Sequence, residues 1–322
     1  MTVLKVNDLK KHFPVRSGFF LFQKQAVKAV DGVSLELKAG ETVGLVGESG
    51  CGKTTVGRCL SRLIKSTSGE IYFKDQAVHS MSNREFNKLR KKIQIIFQDP
   101  YSSLNPKQTV LQIISEPLKV HNVKGNHKEM VAQLMKDVGL PESHMDRYPH
   151  EFSGGQRQRI SIARAIALEP ELIIADEAVS ALDVSIQAQI LNLLKDLQDK
   201  YNLSILFISH DLSVIRHMCD KIIVMYLGRI VETGNREDLF NNPAHPYTKA
   251  LLSAIPTIDE NRKRIVLEGE VPSPINPPSG CTFHTRCPIA TEQCKSKAPD
   301  INDWQDGDHK ASCYVIDKQV KT

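Results

Sequence analysis

The run Gly47-Glu48-Ser49-Gly50-Cys51-Gly52-Lys53-Thr54 constrains this chain more than any other stretch of it. It fits G-x-x-x-x-G-K-[ST] and lies between a short apolar segment, Thr42 to Val46, and a segment of helical periodicity. There Val56, Cys59, Leu60, Leu63 and Ile64 recur at i, i+3, i+4, i+7 and i+8, which predicts a helix from Lys53 to about Ile64. Strand, glycine turn and helix in that order form a phosphate cradle. The glycines let backbone N–H groups wrap an anion, and the helix N-terminus adds a favourable dipole. Lys53 is expected to reach the β- and γ-phosphates of a nucleotide, and the Thr54 hydroxyl to ligate Mg²⁺. Ser49, Gly50, Cys51 and Thr55 complete the expected lining, with Cys51 filling a free position of the loop.

Length and composition bound the rest. A chain of 322 residues can hold one large domain and a smaller one. With 41% hydrophobic and 25% charged residues it has globular values, which exclude disorder. A net charge of +5 is too small to imply nucleic acid without a concentrated patch. The densest basic run is Arg84, Lys88, Arg90, Lys91 and Lys92. It has no aromatic stacking platform, so it reads as a solvated helix face and no nucleic-acid partner is expected. The opening, MTVLKVNDLKKHF, has no long apolar core of a signal peptide. No apolar run approaches the ~18 residues a transmembrane helix needs. The expectation is a cytosolic chain, where disulfides are rare.

Over roughly the first two hundred residues, β-branched runs alternate with helical patterns, as in an α/β sheet. Strands are expected at Val3–Val6, Ala26–Leu37, Thr42–Val46, Lys92–Phe97, Leu172–Ala175 and Ser204–Ile208. Residues 99–167 read as mostly helical. Between Pro14 and Gln25, Phe19 to Phe22 form an apolar tip. After Ile255, Pro256, Pro272, Pro274, Pro277 and Pro278 break regular structure. A boundary near residue 256 is expected to separate a domain of residues 1–255 from an extension of residues 256–322.

A phosphate loop needs a second carboxylate for the metal and a means of activating water. The apolar strand ending in Asp176-Glu177, roughly 120 residues on, supplies both: Asp176 for Mg²⁺ and Glu177 as general base. Gln98 ends one strand and His210 follows another, each at the expected γ-phosphate edge of a sheet. Ser153-Gly154-Gly155-Gln156 opens a further helix. Ser followed three residues later by Gln is a capping box, yet two glycines exceed what capping requires and leave N–H groups open for an anion.

Taken in order, the loop, Gln98, Phe152-Ser153-Gly154-Gly155-Gln156, Asp176-Glu177, Ser180-Ala181-Leu182-Asp183 and His210 resemble the ATP-binding cassette (ABC) ATPases over about residues 1–255. Phe152 stands where many members carry Leu. The resemblance implies a P-loop α/β fold: a RecA-like core with an antiparallel β section and a helical subdomain. It implies Mg-ATP as cofactor, with Gln98 also near the metal, and catalysis by Glu177, His210 and Gln98. It further implies a dimer of cassettes in which Ser153, Gly154, Gly155 and Gln156 serve the partner's nucleotide. An aromatic of the early β section would stack on adenine, with Phe13 the candidate.

The tail narrows the likeness. Asn242-Pro243-Ala244-His245-Pro246-Tyr247-Thr248, Gly269-Glu270-Val271-Pro272-Ser273-Pro274 and Pro277-Pro278-Ser279-Gly280-Cys281 resemble the C-terminal extension of oligopeptide and dipeptide importer ATPases. With Phe283 and Arg286-Cys287-Pro288 they are most similar to the F-type subunit of peptide permeases. That implies a second, homologous ATPase in a heterodimer, two transmembrane permease subunits and, indirectly, an extracytoplasmic peptide-binding protein. It implies a peripheral place on the cytoplasmic face of the inner membrane. Nickel or another small solute is the alternative cargo.

Cys281, Cys287, Cys294 and Cys313 are spaced C-x5-C-x6-C-x18-C in a Pro- and Gly-rich segment. Unrelated packing cysteines would have little regular structure to bury them. A Cys₄ metal site is therefore expected, with His284 and His309 as spare donors. Zinc usually takes C-x2-4-C pairs, and the spacing is not a standard ferredoxin pattern either, so spacing leaves both metals open. The peptide-permease resemblance favours a [4Fe–4S] cluster, with Zn²⁺ as the alternative.

Overall fold

The computed structural model describes residues 1–15, 25–255, 264–304 and 308–315. The apolar tip Phe19 to Phe22 and the expected boundary at residue 256 lie outside the described residues.

The chain opens with two long strands, β1 (Thr2–Pro14) and β2 (Ala26–Lys38), both longer than their apolar cores. Val3, Leu4, Val6 and Leu9 are buried along β1, and its register shifts between Asn7 and Lys10, where Asp8 takes φ 45°. The short strand β3 (Thr42–Val46) is buried throughout and leads into α1 (Lys53–Leu60). This helix is one turn shorter than its periodicity predicts. The Ser61 hydroxyl bonds back to the Gly57 carbonyl at 3.0 Å, and Arg62 turns into the left-handed region at φ 51°. Leu63, expected on the apolar face, is 52% exposed.

Strands β4 (Ser68–Phe73) and β5 (Gln76–Ala77) follow, then α2 (Asn83–Leu89), whose N-terminus carries a capping box between Ser82 and Glu85. Strand β6 (Ile93–Ile96) enters the helical stretch: α3 (Pro100–Ser103), α4 (Val110–Val120), α5 (His127–Asp137) and α6 (Gly154–Ile166). Strand β7 (Leu172–Asp176), α7 (Val184–Tyr201) and β8 (Ser204–Ser209) come next. Along α7, Ile190, Leu193, Leu194 and Leu197 are buried at helical spacing, with Ile186 half-buried, and the helix stops where Asn202 adopts φ 51°. The remainder holds α8 (Leu212–Met218), β9 (Lys221–Tyr226), β10 (Arg229–Asn235), α9 (Arg236–Asn241) and α10 (Pro246–Ser253). Last come α11 (Glu292–Ser296), β11 (Asn302–Asp303) and β12 (Lys310–Ala311).

The chain divides into two compact units. One comprises Met1–Val3, Leu37–Thr42 and Ser80–Ile208. It holds the parallel strands β8-β7-β6 in that order, and every residue of β7 is buried, as a strand covered on both faces must be. The other comprises Leu4–Glu36, Val43–His79 and Ser209–Thr322. It carries the sheet β2-β1-β4-β5 and the strand order β11-β12-β10-β9-β3, in which β3 and β9 run parallel.

Within that second unit the C-terminal extension is tied into the sheet. Strand β12 pairs with β10 through Glu232↔Ala311 and Thr233↔Lys310. The fully buried Glu232 carboxylate accepts N–H groups from Ala244 (2.7 Å) and His245 (2.8 Å) and meets His309 Nε2 at 2.8 Å. A buried carboxylate without such partners would be costly, so this set holds the extension in register. Among the described residues no helix is long and apolar enough to cross a membrane.

Candidate nucleotide site

The glycine-rich loop has the geometry its sequence requires. Gly50 and Gly52 take φ 79° and 107°, which L side chains rarely adopt. A Cβ on Gly47 would lie 2.1 Å from the Met225 carbonyl oxygen, and one on Gly52 2.0 Å from that of Ala29. A Cβ on Gly50 would meet nothing within 4 Å. Gly47 and Gly52 are therefore fixed by backbone close approach, and Gly50 by its dihedral alone.

Gly52 caps α1 without any side-chain hydrogen bond, so the helix N-terminus presents its dipole uncapped, worth about 0.3–1 kcal/mol to an anion. Lys53, 4% exposed, donates from Nζ to the carbonyls of Gly47 (2.8 Å) and Glu48 (3.0 Å). Neither acceptor carries charge to balance the ammonium. Loop, helix end and lysine thus fit a phosphate chain. Burial pushes the Cys51 thiol up, against the lowering pull of Lys53, so this side chain stays a neutral filler.

Two residues that sequence reading did not assign to the loop hold it from outside. The Glu48 N–H donates to Tyr247 Oη at 2.8 Å. The Glu48 carboxylate takes a bidentate pair from Arg286, at 2.8 Å from Nη1 and 3.2 Å from Nη2. The Arg286 side chain is 8% exposed and that of Glu48 28%. With Glu48 only partly buried, the pair lies between a surface pair, worth about 0–1 kcal/mol, and a buried one, whose breaking costs about 3–5 kcal/mol. The pairing holds Arg286 even more firmly protonated than a free guanidinium. Behind it Phe283 packs edge-on to Tyr226 at 5.2 Å and contacts the Tyr247 ring at 5.4 Å. Gly228 N–H adds a bond to the Cys51 carbonyl at 2.9 Å.

In the other unit, Asp176 ends β7 almost fully buried, and Glu177 follows with φ 48°. A left-handed glutamate costs on the order of 1 kcal/mol and must be held. Its N–H donates to Ile208 O (2.9 Å), and its carbonyl accepts Ser180 N–H and Oγ at 3.1 and 3.0 Å. The carboxylate is oriented by Gln98, whose Nε2 donates to Oε2 at 2.8 Å. The fold therefore brings together two residues chosen from separate strands. His210, which belongs to the unit that holds the phosphate loop, is exposed just beyond β8.

Ser153 forms the capping box at α6: its hydroxyl accepts Gln156 N–H at 3.3 Å and Gln156 Oε1 accepts Ser153 N–H at 3.0 Å. Gly155 also has a packing reason, since a Cβ there would lie 2.5 Å from Ile186 Cγ2. Phe13, half-buried in β1, carries the Lys11 ammonium 4.8 Å from its ring centre.

The cysteine-rich segment corrects an expectation. Cys281, Cys287, Cys294 and Cys313 do line one small cavity of about 10 Å³, with His284 and His245 at its wall. Yet among the described residues no group of three or more His, Cys, Asp or Glu side chains is placed to hold a metal ion. His309 is taken by Glu232, and His284 Nδ1 lies against the Cys281 carbonyl at 2.9 Å. Burial, with the neighbouring thiols adding to it, pushes Cys281 up to about 11 and raises Cys287 as well. Packed around this cavity, the four cysteines do not form the expected [4Fe–4S] or zinc site among the described residues.

Comparison with known proteins places this geometry. The ABC transporter family matches residues 30–180, and the family "Oligopeptide/dipeptide transporter, C-terminal region" matches residues 231–294. The chain is 54% identical to the oligopeptide transport ATP-binding protein AppF of Bacillus subtilis, covering 98% of this chain and 97% of that one. It is 50% identical to the dipeptide transport ATP-binding protein DppF of Escherichia coli, covering 98% and 95%. Among solved structures, the dimeric ATP-binding cassette MJ0796 in a post-hydrolysis state with ADP and Pi matches with TM-score 0.64 at 29% identity, covering 72% of this chain and 98% of that one. With the phosphate loop, the Asp176-Glu177 strand end and the tail accounted for, the chain belongs to the ABC transporter ATP-binding proteins of the oligopeptide/dipeptide transporter family.

Proposed function

We propose that this chain is the ATP-hydrolysing subunit of a multi-subunit importer of oligopeptides or dipeptides. The observation that carries the reading is the presence, on one chain, of an ATPase cassette and a peptide-transporter C-terminal region. Nickel or another small solute through the same kind of assembly is the second reading, because solute choice would reside in the membrane subunits.

In this reading Mg-ATP supplies the phosphoanhydride and the charge neutralisation on which hydrolysis depends. Lys53 and the loop N–H groups would hold phosphate oxygens, while Thr54, Asp176 and Gln98 would hold the metal. Glu177 accepts a proton from water, with Gln98 fixing its carboxylate and His210 contacting the γ-phosphate. Phe13 stacks on adenine. Ser153 and Gly155 serve the nucleotide of a second, homologous ATPase, so the isolated chain turns over slowly. Residues 1–255 are the cassette, with 99–167 its helical subdomain, and residues 256–322 the extension. The assembly sits peripherally on the cytoplasmic face of the inner membrane, beneath two permease subunits fed by a peptide-binding protein.

Purification from detergent-solubilised membranes tests the assembly. Two permease chains and a second ATPase should copurify, with peptide-stimulated turnover. A chain that purifies alone and hydrolyses ATP at full rate would remove the transport reading.

A further inference from the structure

Arg286 and Glu48 are separated by 238 positions, yet through them a C-terminal side chain grips the phosphate loop by charge. Glu48 stands five positions before Lys53, whose Nζ bonds to Glu48's own carbonyl at 3.0 Å. A free carboxylate at that position would oppose the phosphates that the loop is built to hold. Its backbone N–H is already turned away, onto Tyr247 at 2.8 Å. Both handles on this residue are therefore supplied from beyond residue 245, by the edge of α10 and by the segment after Cys281.

The contact has no room to drift. The Phe283 ring, fully buried, packs edge-on to Tyr226 and tilted against Tyr247 and His245, and the Phe283 carbonyl accepts the Arg286 N–H at 3.0 Å. Upstream, Pro274 O accepts the Lys28 N–H at 3.0 Å, so the extension is fastened to β2 as well. A planar guanidinium held this way meets a carboxylate at both oxygens, which a lysine cannot reproduce.

We propose that Arg286 is a positioning residue for nucleotide binding: it neutralises and fixes Glu48, so that the C-terminal extension sets the affinity of the phosphate loop. This rests on the reading of that loop as the ATP site. The extension then acts as more than a transporter-specific appendage. Whatever shifts the Phe283–Arg286 turn is transmitted to Glu48 through this ion pair, and through the Tyr247 ring that Phe283 touches.

The test is titration of a fluorescent ATP analogue, with Mg²⁺, into the full chain in its assembled complex, with thermal unfolding followed alongside. Arg286→Met keeps the apolar stem and leaves Glu48 uncompensated; it should raise the apparent Kd about fivefold to tenfold, more at low salt than at high. Glu48→Gln combined with Arg286→Met removes the stranded charge and should bring Kd back to within about twofold of wild type. Arg286→Lys should fall between. Wild-type affinity in Arg286→Met would overturn the proposal, and so would a double variant as weak as Arg286→Met alone, which would make Arg286 merely structural. Lys53→Ala separates the two claims. If it binds like wild type, the site reading itself fails; if it loses binding while Arg286→Met does not, only the present inference fails.

Discussion

The phosphate loop and the cysteine-rich segment each offer, in sequence, a set of residues suited to a ligand, and only one of them has the geometry for it. In the loop, backbone carbonyls of Met225 and Ala29 stand where Cβ atoms of Gly47 and Gly52 would be, so the glycines are forced and the N-terminus of α1 stays uncapped. In the tail, four thiols approach one another around about 10 Å³ and are spent on packing, without a metal-binding group among the described residues. The difference lies in what enforces the arrangement. A loop whose dihedrals, close approaches and lysine all serve an anion specifies its ligand. Proximity of like side chains does not.

The sharpest way to break this contrast is through the glycines. Gly52→Ala drives a Cβ against the Ala29 carbonyl and should abolish nucleotide binding, a loss of at least about 100-fold, with several kcal/mol of stability. Gly50→Ala meets open space and should cost only about 1 kcal/mol from its positive φ. Equal effects of the two, measured by nucleotide titration and thermal unfolding, would mean that backbone approach is not what shapes the loop.

A second, smaller effect sharpens the account of how the tail is anchored. His245 is buried and held neutral, its pKa lowered to about 4 by burial, with Lys249 assisting and Glu232 opposing. Its Nδ1 accepts the Tyr247 N–H at 3.1 Å, as the neutral ring requires. A folded pKa below the unfolded one means that stability is complete above about pH 6.5 and falls as pH drops towards 4. The expected loss is on the order of 2–3 kcal/mol. Denaturant unfolding across that range should show it, and His245→Asn should flatten the slope. An unchanged slope in the variant would exclude His245 as its source.

The smallest effect belongs to the thiols. Cys287→Ser should leave ATP affinity within about twofold of wild type, because the Cys287 side chain is not a partner in the Glu48–Arg286 hydrogen bonds and serine is close to it in size. A loss of ATP binding in that variant would put the cysteines into the nucleotide site and undo the contrast.

What could be read from the sequence follows the same division. The loop, β3 and the strand ending at Asp176 are contiguous, so local periodicity and spacing carry them. The last turn expected of α1 failed because a hydroxyl bonding backwards at Ser61 and a left-handed Arg62 outweigh an apolar repeat. The left-handed backbone at Glu177 left no sequence signal, since only the surrounding bonds to Ile208 and Ser180 impose it. Arg286 and Tyr247 stood in quoted tail motifs, but nothing local ties either to Glu48. The glycines of the α6 entrance were assigned wholly to anion binding, whereas Gly155 is also required for the approach of Ile186.

Turnover of the assembled transporter carrying Glu177→Gln, set against its ATP binding, tests the central claim most directly. The substitution keeps size and the bond to Gln98 while removing the base. ATP should bind as in wild type and hydrolysis should fall by about 10²-fold or more. Lys53→Ala should instead lose the binding itself. Wild-type turnover in Glu177→Gln would contradict the account.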